Sequence, residues 1–265
     1  MKTTQSFSGI KYLSDIKNNV VDELTVEEIL NIYINNEPYT MTMRTPGDEE
    51  ALTRGILLSE QVYTNPNQNP IFSILEKNNN GYITKVNVII QPDELKDGIH
   101  NKRNLISVSS CGMCGKNEMD LALQGERIKA KEKLQLHTIP KMFEMMTSKQ
   151  NTFQSSGGSH AATIFDNKMN LLSIHEDIGR HNAVDKTIGD LLLKNKINDA
   201  FCLLVSGRVS YEIVSKCFYA KIPFLAAVSA QSSMAVEYCE QVGITLIAFC
   251  REDRYTVYTN THQTV

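Results

Sequence analysis

From Ala161 to Thr259 the chain alternates short apolar runs with amphipathic stretches, and few architectures accept that rhythm. Ala161–Phe165 and Asn170–His175 read as a hairpin turning around Asp166-Asn-Lys168. Asn182–Lys194 places Val184, Ile188, Leu191 and Leu192 on one helical face. A buried strand at Ala200–Val205, a helix at Ser210–Lys221, a strand at Phe224–Val228 and a helix at Ser232–Gln241 follow. Thr245–Phe249 is then a strand and Tyr255–Thr259 a final edge strand. Strands interleaved with helices imply a largely parallel sheet covered on both faces. The expected class is α/β, or α+β for the whole chain.

The first half has another texture. Val20–Leu24 leads into Thr25–Ile34, where Thr25 with Glu28 has the form of a capping box but the Ile-rich tail favours a strand. Asn35-Asn-Glu-Pro38 signals a turn, and Tyr39–Met43 alternates like a returning strand. Thr45-Pro-Gly-Asp48 opens a helix to about Leu58, with Asp48 the expected N-cap and Glu49 and Glu50 at the positive end of its dipole. Ile71–Glu76 and Tyr82–Ile90 are strand-like. A helix is expected near Glu118–Leu123, and Pro140 opens an amphipathic one through Met146 that ends near Gln150. The change of texture divides the chain into a strand-rich domain, 1–135, and an α/β domain, 136–265.

A net charge of −3 argues against whole-surface nucleic-acid binding, which needs a strongly basic balance. Any anion site must therefore be built locally. The polar start of the chain lacks the apolar centre of a signal peptide, and no run of about 18 apolar residues suggests a membrane span. The expectation is a cytoplasmic protein with reduced thiols. Cys202, Cys217, Cys239 and Cys250 sit in apolar or amphipathic stretches and read as buried structural thiols.

In an open α/β sheet, ligands lie beyond the carboxyl ends of the strands. Three junctions there carry suitable groups: Glu176–Asn182, Ser206-Gly-Arg208 and Ser229–Ser233. Serine and glycine at helix starts leave backbone N–H groups for phosphate, and Arg180 and Arg208 add forked donors. The same residues also serve as ordinary caps. His181 is either a ligand contact or a hydrogen-bonded strut, and His160 has glycine neighbours that allow close backbone approach.

Cys111 and Cys114 form a Cys-Gly-Met-Cys-Gly segment whose glycines favour a turned loop over a helix. Structural zinc needs further ligands, and no second Cys-x-x-Cys is present. A zinc deaminase needs His-x-Glu upstream, whereas His175-Glu176 is adjacent and downstream. A thioredoxin-like dithiol needs a helix N-terminus. The third use is nucleophilic: a thiolate takes sulfane sulfur, holds it as a persulfide and hands it on. Spacing alone leaves these three uses open.

Cys111–Gly115, Glu176–Lys186 and Ser206–Ser210, together with Met43-Arg-Thr-Pro-Gly-Asp48 and Phe249-Cys-Arg-Glu-Asp-Arg254, resemble the formate dehydrogenase accessory sulfurtransferase family, FdhD. The motifs occur in order over nearly the whole chain. Gln231 departs from the proline common in that family, an expected effect on the local turn alone. The resemblance implies a homodimer whose C-terminal domain has a three-layer, cytidine-deaminase-like fold without the zinc chemistry. It implies a sulfur carrier between a cysteine desulfurase and the molybdenum cofactor of formate dehydrogenase, bis-molybdopterin guanine dinucleotide. By position Cys111 matches the persulfide cysteine, with Cys114 as resolving or relaying thiol. Phe249, Cys250, Arg251, Glu252, Asp253 and Arg254 match the cofactor segment. Arg180, His181, Arg208 and Ser229 join them as expected contacts. A cofactor-inserting chaperone that transfers no sulfur is the alternative.

Overall fold

The computed structural model describes residues 2–100 and 125–265. Cys111, Cys114 and the helix expected at 118–123 lie outside the described residues. The strands assemble into one hairpin and two sheets. The hairpin pairs β1 (Thr4–Leu13) with β2 (Ile16–Thr25). β3 (Glu28–Ile34) is the strand expected from the Ile-rich stretch and starts where Thr25 and Glu28 have the form of a capping box. No strand was expected at β1, because its polar residues and Gly9 show no core-facing alternation.

The first sheet runs in the order β4, β3, β6, β5, with β4 at Glu37–Arg44, β5 at Ile71–Lys77 and β6 at Ile83–Ile89. Leu30, Ile32, Ile34, Val86 and Val88 point to one face, where α1 (Glu49–Ser59) lays down Leu52, Ile56 and Leu57. Asp48 does occupy the N-cap position, but with φ of 58° and no side-chain cap bond. Its carboxylate turns away to His175. The other face of α1 packs on α4 (Arg180–Leu193). Gly55 and Gly189 allow that crossing: a Cβ on Gly55 would stand 2.0 Å from Asp185 O, and one on Gly189 1.8 Å from Ala51 O.

The second sheet has the order β12, β11, β10, β9, β7, β8. Its strands are β7 (His160–Phe165), β8 (Leu171–Asp177), β9 (Cys202–Val205), β10 (Phe224–Ala227), β11 (Thr245–Arg251) and β12 (Arg254–Val257). β9, β10 and β11 are parallel, and β8 shares their direction because β7 runs antiparallel to both β8 and β9. β12 is the antiparallel edge. Period-two alternation splits the strands between two cores. Ile164, Leu203, Leu225 and Leu246 face α4, α5 (Tyr211–Tyr219) and α6 (Ser233–Val242). Phe165, Leu204, Phe224 and Ile247 face α2 (Ile139–Thr147), whose Met142, Phe143 and Met146 close the third layer. α2 begins at Pro140 as expected, but a separate short α3 (Asn151–Ser156) follows it. The sheet is thus mixed, with four of its six strands pointing one way.

Candidate anion site at the carboxyl end of the second sheet

The shared direction of β8, β9, β10 and β11 brings the three polar junctions to one end of the sheet. Hydrogen bonds tie them together. Ser206 N–H donates to Ala161 O (3.0 Å), and Ser206 Oγ accepts from Ala161 N–H (2.9 Å). Val209 N–H donates to Ala230 O and Ser232 N–H to Val209 O, both at 3.0 Å. This bridge uses the polar groups of residues 230 and 232 and not the N–H of Gln231, the backbone donor that a proline would lack. Phe249 N–H reaches Ser229 O at 3.4 Å.

Only part of the capping chemistry matches the sequence expectation. α5 starts at Tyr211 with Ser210 as N-cap, so Ser206-Gly-Arg208 is a loop beyond β9 and not a helix start. Ser232 Oγ accepts from Ala235 N–H at the head of α6 and is occupied there. Gly179 and Ser210 give α4 and α5 no side-chain cap. Glu176, expected among the anion-facing groups, is itself an anion that accepts from Thr152 and Phe153 N–H (both 2.8 Å) and from Ser159 Oγ (2.7 Å).

Gly207 is the close point of the site. A Cβ there would stand 3.2 Å from Arg180 Cβ, 3.4 Å from Arg180 Cδ and 3.4 Å from His160 Nδ1. Arg180 Nε is buried and has no hydrogen-bond partner among the described residues, which leaves a donor that could meet an anion. His160, which sequence reasoning flagged by its glycines but did not place in the site, stands beside it. Burial and then the positive charge of Arg180 lower its pKa, with His181 and Arg208 acting the same way against Asp177. Its imidazole is therefore neutral near pH 7, within a cationic group of side chains. His181 is a strut: Nε2 lies 3.0 Å from Glu212 Oε2 and 3.4 Å from Ser210 Oγ. Arg208 is exposed.

The segment 249–254 lies further along the same edge. Phe249 is 45% exposed with φ of 55°, a conformation costly for a bulky residue, at a register shift between β11 and β12. Arg251, Glu252, Asp253 and Arg254 form the exposed turn that joins these strands. Cys250 does not join this surface. Its side chain enters the core shared with α2, and burial pushes its thiol up to about 12. Cys202, Cys217 and Cys239 are buried as well, and burial raises each thiol well above its ordinary value. A cleft of about 740 Å³ at the opposite end, floored by Leu192, Ala200 and Pro223, holds none of the expected site residues. Among the described residues no His, Cys, Asp and Glu side chains group as metal ligands, and no helix is long and apolar enough to cross a membrane.

Residues 25–265 match the FdhD/NarQ family, nearly the whole of the chain. The chain belongs to the FdhD/NarQ family. It is 38% identical over 251 residues to a sulfur carrier protein FdhD of Streptomyces avermitilis, covering 91% of this chain and 89% of the relative. A sulfur carrier protein FdhD of Mycobacterium tuberculosis is 39% identical over 248 residues, 90% of each chain. The fold is that of a solved formate dehydrogenase accessory protein from Desulfotalea psychrophila, with a TM-score of 0.79 over 100% of both chains at 18% identity.

Within this FdhD/NarQ chain, the motifs at 43–48 and 176–186 form one buried lock. Thr45 N–H donates to Asp177 Oδ2 (3.1 Å), Lys186 Nζ sits 2.8 Å from the same oxygen, and Lys186 Nζ donates to Thr45 O (2.7 Å). Asn182 Nδ2 donates to Met43 O (2.8 Å) and to Asp177 Oδ1 (3.1 Å). Arg44 is wholly buried and meets Glu49 at 2.8 Å. Polar residues that look site-like in sequence thus fasten the first sheet's chain to the head of α4, which aims Arg180 at Gly207.

Proposed function

We propose that this protein is a sulfur carrier that takes persulfide sulfur from a cysteine desulfurase and passes it to the molybdenum cofactor of formate dehydrogenase. The observation that carries this reading is Arg180, whose Cβ and Cδ pack against Gly207 beside His160 at the carboxyl end of the sheet and whose buried Nε has no partner among the described residues. Such a place suits a pyrophosphate: it offers a forked cation, backbone that approaches closely, and uncapped starts on α4 and α5. Bis-molybdopterin guanine dinucleotide carries pyrophosphates, and Arg208, Ser229, Phe249 and the turn 251–254 extend the edge on which so long a molecule would lie. It is cargo here, not a resident group.

Cys111 is the proposed sulfur-bearing residue. Its thiolate attacks the outer sulfur of the desulfurase persulfide, the donor's S–S bond breaks, and the donor cysteine leaves as a thiolate. The named relatives' printed function, sulfur carrier, supports this step over cofactor insertion without sulfur transfer. Incubation with a cysteine desulfurase and sulfur-labelled cysteine, followed by peptide mass spectrometry, tests it. Label on Cys111, with loss of both label and formate dehydrogenase activation in Cys111→Ala, is the expected result. Label on Cys114 alone would reassign the two thiols. A Cys111→Ala protein that still activates the enzyme would remove sulfur transfer and leave the cofactor-inserting chaperone. A second copy of the chain is the remaining proposed partner.

A further inference from the structure

The β1–β2 hairpin contributes no residue to any of the three cores. Ile10, Tyr12, Leu13, Ile16 and Val21 are each more than half exposed, at 58%, 61%, 66%, 61% and 70%. Among the described residues its base alone is fastened, by Thr25 Oγ1 to Ser156 Oγ (2.6 Å) and Thr152 Oγ1 to Thr3 Oγ1 (3.0 Å) on α3. A two-stranded ribbon is marginal in water without a further strand or a covering element, and its open edges are templates for pairing.

The outer edge of β2 selects its own complement. Val26 N–H donates to Thr3 O (2.9 Å), and Leu13 and Ile16 flank a two-residue turn. Even-numbered residues of β2 therefore turn their backbone groups toward β1, and Lys17, Asn19, Val21 and Glu23 turn theirs outward. An antiparallel second β2 can dock only in registers that set odd residues against odd ones. Among these, the register centred on Val20 faces Val20 with Val20, Ile16 with Leu24, and Lys17 with Glu23, twice each for the unlike pairs. The neighbouring registers, centred on Asn19 or on Val21, set Lys17 against Val21 or against Thr25 and lose the charge match.

We propose that β2 pairs antiparallel with β2 of a second copy of this chain about a two-fold axis at Val20, joining the two hairpins into one four-stranded sheet. The Lys17 charge, which would hinder any other strand from adding at this edge, is met by Glu23 only in this register. The inference deepens the self-association reading and is independent of sulfur transfer.

Sedimentation of the full chain over a concentration series tests it. The wild-type protein should be a dimer. Lys17→Glu and Glu23→Lys each place like charges at two symmetry-related sites and should raise the dimer dissociation constant roughly tenfold or more. An equimolar mixture of the two variants should regain wild-type association, because the heterodimer restores both opposite-charge pairs. A monomeric wild-type protein would overturn self-association and this interface together. Variants that dimerise like the wild type, or a mixture no tighter than its components, would overturn the interface alone.

Discussion

Arg180 stands over Gly207 because α4 starts immediately after β8, and β9, two strands away, ends at the same level. Its buried, unpartnered Nε is costly in isolation and favourable against an anion. Replacing a charged hydrogen-bonding group of this kind costs about 2 kcal/mol of binding, roughly 30-fold in affinity. Arg180→Ala should weaken binding of guanosine diphosphate by that order in calorimetry; unchanged affinity would take the residue out of the site. Arg180 was legible in the sequence as a cation at a strand-to-helix junction. His160 was not assigned, since nothing local says that β7 begins beside the end of β9. Glu176 and Asp177 lie in a junction that looked site-like, yet Glu176 caps α3 and Asp177 is neutralised by Lys186 in the interior. Polar composition marks a place of consequence without saying whether a charge faces a ligand or a buried partner.

At the scale of elements, the crossing of α1 and α4 holds the two sheets in one body. Both helices spend a glycine on it, and at each the neighbouring backbone leaves no room for a methyl group. Gly189→Ala should destabilise the protein by about 3 kcal/mol, since backbone cannot give way as a side-chain tip can. Urea denaturation would register this as a lower midpoint, and a midpoint within about 0.5 kcal/mol of wild type would mean the helices separate at little cost. The elements themselves were readable. Period-two apolar runs and the 3.6-residue face of α4 are properties of neighbouring residues, so β7 to β12 and α4 to α6 emerge from the sequence with ends shifted by only a few residues. β1 and α3 were missed because neither carries a clear apolar face: β1 is almost wholly exposed, and α3 buries only Thr152.

For the whole molecule, His175 is a pH-dependent clasp between the halves. It lies 3.2 Å from Asp48 at the head of α1 and 3.7 Å from Asp190 on α4. Burial alone would lower its pKa, but its hydrogen bonds to Asp190 and Asp48 outweigh burial and raise it above 6.5. The same contact holds Asp48 below the usual carboxylate range. A histidine raised on folding stabilises fully below its unfolded value and loses that contribution as pH rises through the folded one. The depressed carboxylate contributes above its unfolded value and loses its share in acid. The clasp is therefore strongest between roughly pH 4 and 6.5 and weakens toward pH 8. The urea midpoint should fall between pH 5.5 and 8.0, and His175→Gln should reduce that fall; an equal fall in the variant would assign the pH dependence elsewhere. The sequence by itself determined the α/β class and the succession of strands and helices that build the second sheet, and it brought three polar junctions to the strands' carboxyl ends. Each of these follows from hydrophobic period and chain direction, which are local. Only the tertiary structure decided that Asp177 meets Lys186 and Thr45, that Asp48 leaves its helix for His175, and that Gly207 brings Arg180 to His160. These contacts join residues as much as 141 positions apart, and their geometry exists only once the strands have chosen their neighbours.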